Sequence, residues 1–153
     1  MTPTTPPPAR PPEAWMRLAA EVAERGQTMF GAVLVRGGAL LAEAANTVAK
    51  DRDPSAHAEL SLIRRACREL VTTDLDGCTL YTTVEPCPMC AAACVWSGVS
   101  GVVFGASIAE VAELGVPQIA LSCEELFGRV QHAPTLRGGV ERERCLELCQ
   151  RFW

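Results

Sequence analysis

The chain lacks an excess of positive charge: 14 lysines and arginines stand against 18 aspartates and glutamates, a formal net charge of −4. So acidic a balance exerts no broad attraction on a phosphate backbone and counts against nucleic acid as a partner, unless a local basic patch forms. The N-terminus lacks the basic, apolar and small-residue succession of a secretory signal, and no internal repeat is present. Without an export signal, the eight cysteines are read as reduced thiols of a cytoplasmic protein rather than as a disulfide framework. A membrane span is missing too. Residues 86–109 carry no charge, but prolines, glycines and serines break them into short pieces, which fits a buried helix followed by a buried strand.

What is present reads as one globular domain. The chain has 153 residues, of which 48% are hydrophobic and 21% charged, enough for a single core and too few for two ordinary domains. Residues 1–12 hold six prolines and little to bury, so they are expected to form a disordered or polyproline-like tail ahead of a domain at 13–153.

From residue 13 to about residue 25, Trp15, Leu18, Ala19 and Val22 recur at i, i+3, i+4 and i+7, the mark of a helix with one buried stripe. Residues 31–36 and 39–45 read as strands joined by Gly37-Gly38, a pair suited to a two-residue hairpin turn. Asn46 then opens a polar loop. Asp53-Pro54 is expected to supply the N-cap and first position of a helix running to about Leu70.

Residues 79–84 have strand character, and Pro86 is placed to open the next helix. A strand at 102–105 and a helix at 106–114 follow. Beyond Gly115 the pattern weakens to a short strand at 118–121, a short helix at 123–127 and a last helix carrying Cys145, Leu148, Cys149 and Phe152. Strands alternating with helices predict an α/β domain with helices layered on both faces of a central sheet. Cys67, Cys78, Cys94, Cys123, Cys145 and Cys149 lie in apolar patterns and are read as small buried hydrophobes. Arg64, Arg65 and Arg68 mark a solvated helix face rather than an RNA patch.

The chemistry concentrates in two short stretches, His57-Ala58-Glu59 and Pro86-Cys87-Pro88-Met89-Cys90. His57, Cys87 and Cys90 offer three ligands to Zn²⁺, and a catalytic zinc keeps its fourth position open for water. A structural zinc would want a fourth protein ligand, and His132 is far along the chain. Glu59 is then spare for proton transfer. Both half-sites fall near expected helix starts, where the helix dipole favours thiolate over thiol.

With His-Ala-Glu at 57–59 and Glu-Pro-Cys-Pro-Met-Cys at 85–90, the chain resembles the cytidine and deoxycytidylate deaminase superfamily over residues 14–153. The resemblance implies a three-layer α/β/α cytidine-deaminase-like fold with a central five-stranded mixed sheet. It also implies one Zn²⁺ per chain, a small-molecule nucleobase as substrate and a homodimer. Within that group, residues 29–33, Asn46, 53–59 and 85–90 look most like bacterial and plant guanine deaminases, with tRNA adenosine deaminases and fungal-type cytosine deaminases as relatives.

By this likeness Phe30, Asn46, Ala58, Trp96 and Glu110 surround the substrate. Trp96 matches a tryptophan that guanine deaminases place against the purine, where tRNA deaminases have histidine, and Glu110 matches an active-site acid. The Lys-Thr-Gly-Ala run that tRNA deaminases use around RNA is replaced by residues 107–115. The C-terminal stretch departs from guanine deaminases, which often end in a swapped segment, and resembles the last helix of the tRNA and cytosine enzymes. The reaction implied is hydrolytic deamination, first of guanine to xanthine. The alternatives are another free base, a nucleoside or triazine, or adenosine in tRNA; outside enzymes, a zinc-stabilised binding module remains.

Overall fold

A computed structural model describes residues 9–153, so most of the expected proline-rich tail, residues 1–8, lies outside the described residues. Helix α1 (Pro12–Arg25) begins one residue inside the expected tail, and Arg10 before it stands over the Trp15 ring at 5.0 Å. Strands β1 (Gly31–Arg36) and β2 (Ala39–Ala45) form the expected hairpin, with Gly37 and Gly38 at φ +57° and +78°. Positive φ at both central residues gives a turn whose twist matches the strands it joins.

After the hairpin come α2 (Val48–Asp51), α3 (Ala58–Leu70), β3 (Cys78–Val84), α4 (Pro88–Trp96) and β4 (Gly101–Ala106). The chain continues through α5 (Ile108–Glu113), α6 (Cys123–Phe127), β5 (Thr135–Arg137) and α7 (Arg142–Phe152). The strands make one mixed sheet in the order β2-β1-β3-β4-β5. β1 is antiparallel to both β2 and β3, whereas β3, β4 and β5 run parallel.

Alternation along the strands builds a core on each face of the sheet, because successive side chains in a strand point opposite ways. Val33, Val35, Tyr81 and Val103 pack on one face with Trp15, Met16 and Ala19 of α1 and Cys145, Leu148 and Cys149 of α7. Ala32, Leu34, Leu80 and Val102 pack on the other with Leu62, Ile63 and Ala66 of α3, Cys94 of α4 and Phe127 of α6. The three-layer α/β/α fold with a five-stranded mixed sheet is therefore the observed one. All eight cysteines are free thiols. Residues 86–109 divide into α4 and β4, and among the described residues no helix is long and apolar enough to cross a membrane.

Four local expectations are corrected. The fifth strand is Thr135–Arg137, not residues 118–121: Leu136 pairs with Val102 and packs against the core, while Ile119 is exposed. Asp53 does not cap the metal helix. Its Oδ1 accepts from the Ser55 backbone N–H and hydroxyl at 2.8 and 2.7 Å, closing a turn four residues ahead of α3. Likewise Pro88, not Pro86, takes the first position of α4, and a short helix, α2, occupies the expected loop after Asn46.

Candidate active site

His57 and Cys87 are themselves the N-caps of α3 and α4, and neither side chain makes the usual cap hydrogen bond to its own helix. An N-cap side chain ordinarily folds back onto the first-turn N–H groups; here both are free to face each other. α3 follows β2 and the short α2, α4 follows β3, and the packing of α3 against α4 brings the two caps together. The Cys87 and Cys90 sulfurs lie 3.5 and 3.7 Å from His57 Nδ1, and all three donor atoms fall within 4.8 Å of one another.

These separations fit zinc. Tetrahedral coordination at about 2.3 Å to sulfur and about 2.0 Å to nitrogen sets N···S near ~3.6 Å. Cys87 is held down to about 4, first by the hydrogen bond from Cys90 and also by His57 and the Cys90 backbone N–H. Cys90 is pushed up, first by that shared hydrogen bond and then by burial. A metal binding both sulfurs would displace the proton between them. The hydrogen bond to Cys87 raises His57 above its ordinary value against the opposing effect of burial.

Glu59, in the first turn of α3, is only 4% exposed and is not part of the donor cluster. Burial pushes its carboxyl above the ordinary range; its own backbone N–H and the Thr82 hydroxyl oppose that rise. Thr82 Oγ1 donates to Glu59 Oε1 at 2.8 Å. The neighbouring Thr83 points to the opposite face, where its hydroxyl donates to the Met29 carbonyl at 2.7 Å and accepts from Gly31 N at 3.1 Å. Two adjacent threonines of β3 therefore fix the carboxylate and the chain entering β1. Two consecutive threonines near the end of a buried strand were a legible signal that sequence reasoning passed over.

His57, Glu59 and Cys87 open onto a cavity of about 570 Å³, also lined by Phe30, Asn46, Phe152 and Trp153. Asn46 Oδ1 accepts from Val48 N at 3.1 Å, leaving its amide N–H groups to donate to a ligand. Phe152 and Trp153 reach the cavity because α7 packs hard against β4: a Cβ at Gly105 would come within 2.2 Å of Cys145 Sγ. Val116, Pro117 and Gln118, at and just before the stretch 118–121 read as a strand, form another part of the wall.

Of the expected substrate residues, Phe30 and Asn46 line this cavity; Ala58, Trp96 and Glu110 do not. Ala58, the first residue of α3, is wholly buried in the core. Trp96 is 85% exposed at the end of α4. Six residues after Cys90, it lies about 9 Å further along the axis and is rotated by roughly 240°, so the two residues face different directions. Glu110 completes a capping box with Ser107 at the start of α5 and pairs with Arg142. Its carboxyl feels burial upward, yet the Ser107 N–H and Arg142 hold it below the ordinary range.

A three-donor His/Cys/Cys set with a buried, unligated carboxylate on the same cavity defines a mononuclear zinc-hydrolase type of site. The chain belongs to the cytidine and deoxycytidylate deaminase family, whose zinc-binding region matches residues 10–106. It is 48% identical over 86 residues, 56% of this chain, to a guanine deaminase of Bacillus subtilis, and spans only 55% of that relative's length. It is 39% identical over 135 residues to the tRNA-specific adenosine deaminase of the same organism, covering 88% of this chain and 81% of that one. The solved structure of a guanine deaminase from Nitrosomonas europaea superposes with a TM-score of 0.81 at 30% identity, over 93% of this chain and 84% of that one.

Proposed function

We propose that this protein is a zinc-dependent aminohydrolase of a free nucleobase, with guanine, converted to xanthine and ammonia, as the first substrate. The observation that carries the reading is the placement of Glu59: buried, outside the donor set, and on the wall of the cavity that His57 and Cys87 share. His57, Cys87 and Cys90 would hold a zinc ion, which would supply a water made nucleophilic near neutral pH. Glu59 moves the protons. With Oε1 held by Thr82, Oε2 is the oxygen left to carry two protons in turn, one from the attacking water to the ring nitrogen and then one from the hydroxyl so added to the departing amine. Phe30, Phe152 and Trp153 give the ring aromatic surface, and the Asn46 amide donates to an acceptor on its edge.

Support for guanine comes from the Bacillus relative, the Nitrosomonas superposition and the acidic net charge. Adenosine in tRNA is the second reading, supported by the longer coverage of the tRNA-specific relative. In the first reading the enzyme is a cytoplasmic homodimer with one zinc per chain, and Met89 and Trp96, exposed on α4, are the surface offered to a second copy. Ammonia release measured on guanine, guanosine, cytosine, adenosine and tRNA decides between the readings. Release from guanine is expected; release from tRNA alone overturns the choice.

A further inference from the structure

We infer that Glu85 is a positioning residue that locks the cysteine half of the metal site and one wall of the substrate cavity into a single unit. Glu85 ends the strand segment before Pro86-Cys87 and is only 6% exposed. Its own N–H donates to the Ala106 carbonyl at 2.8 Å, extending the β3–β4 pairing by one step. Its carboxylate joins two different helices: Oε2 accepts from Ile108 N at 2.9 Å and Oε1 from Cys123 N at 2.8 Å. These are the first helical residues of α5 and α6.

Both helices already satisfy two of their other early donors. Ser107 with Glu110, and Ser122 with Glu125, form complete capping boxes covering the cap and third-position N–H groups. The first-position N–H that a box does not reach is the one Glu85 accepts at each helix. Cys123 adds a second tie, its thiol donating to the Pro86 carbonyl at 3.3 Å. The peptide leading into Cys87 is thus held at Glu85 and Pro86 by the starts of α5 and α6. Residues 114–122 connect those two helices, and Val116, Pro117 and Gln118 among them line the cavity. One carboxylate therefore sets both the placement of the Cys87 ligand and the path of that wall.

Glutamine is the discriminating substitution. It preserves the volume of Glu85, but one carboxylate oxygen becomes an NH₂ that faces a backbone N–H, donor against donor. Groups that orient metal ligands cost about 10- to 100-fold in metal affinity when removed, so Glu85→Gln should weaken zinc binding by that factor in competition with a chelator. It should also raise KM, through the loosened 116–118 wall, and speed amide hydrogen exchange at Ile108 and Cys123. Ser107→Ala, which removes a capping box and leaves both Glu85 contacts, should change zinc affinity by less than about twofold.

The inference rests on the zinc reading, and the two fail differently. An unmodified protein that binds no zinc overturns the proposed function; Glu85→Gln binding zinc as tightly as the unmodified protein, or Ser107→Ala losing as much, overturns only the role of Glu85. If Glu85→Gln does not fold, exchange in the unmodified protein decides: Ile108 and Cys123 amides should be strongly protected, and exchange as fast as the amides of residues 118–121 would refute the clamp.

Discussion

Replacing Thr82 with valine removes one hydroxyl and almost no volume, and with it the hydrogen bond from Thr82 Oγ1 to Glu59 Oε1 at 2.8 Å and the longer contact to the Val84 carbonyl at 3.2 Å. Both residues are buried, at 1% and 4% exposure, and Thr82, unlike Glu59, does not line the cavity, so the bond lies on the protein side of the carboxylate. A hydrogen bond to a charged group contributes about 1.5–3 kcal/mol, and each 1.36 kcal/mol of transition-state stabilisation is about tenfold in rate. If the bond serves mainly to hold the carboxylate in its working rotamer, Thr82→Val should lower kcat about ten- to a hundredfold. KM should change little, because Thr82 does not line the cavity. The assay is steady-state ammonia release, on whichever base proves to be the substrate, with zinc content and melting temperature measured on the same preparation. Thr82→Ser restores a donor at the same place and should recover most of the rate. A fully metallated, stable Thr82→Val enzyme turning over at the unmodified rate would refute the assignment of Oε1 as the anchored oxygen.

Glu59→Gln should retain zinc and lose turnover by about 10²- to 10⁴-fold. It should also change stability with pH in one direction: because burial raises the Glu59 pKa above its ordinary 4.5, the carboxyl is protonated in both states below that value and imposes no penalty. As pH rises the unfolded chain ionises first, so the penalty on the folded protein grows. After chelation, thermal melts should therefore show the glutamine variant ahead of the unmodified protein near pH ~8 and level with it near pH ~4; the reverse order would be contrary to the sign. Chelation should also expose a thiol reactive below neutrality, since Cys87 is held down to about 4, whereas Cys145 is pushed up to about 12 by burial. Mass mapping after a short exposure to a thiol reagent should find the label on Cys87, and equal labelling of Cys145 would count against it. Trp153→Ala removes an aromatic face from the cavity, worth about 0.5–1.5 kcal/mol, and should raise KM about two- to tenfold with kcat nearly unchanged; an unaltered KM removes Trp153 from the substrate site.

The hairpin and the donor triad were legible because their signals are local. Gly37-Gly38 meets the backbone demand of its turn directly, and His57, Cys87 and Cys90 are the residue types zinc chemistry requires. The starts of α3 and α4 were misplaced for a chemical reason. Each has an available proline upstream, Pro54 or Pro86, but the true cap positions belong to His57 and Cys87, side chains that serve a metal rather than a helix end. Glu110 was read by family likeness as a site acid although Ser107-x-x-Glu110 is a sequence-level capping box, the role it takes in the fold. Trp96 stands exposed at the end of α4, off the cavity, and Phe152 was not legible because of distance: nothing within α7 says that β4 will present Gly105 and bring the helix end to the cavity that His57 lines. β5 is three residues long, too short for alternation to register.

The measurement that bears most directly on the central claim is ammonia release from guanine by protein of known zinc content, before and after chelation and after zinc is restored. Turnover that tracks one zinc per chain, disappears with the metal and returns with it is the expected result. A protein that binds zinc fully yet releases no ammonia from guanine or from any other base, nucleoside or tRNA would contradict the account and leave a zinc-stabilised binding module in its place.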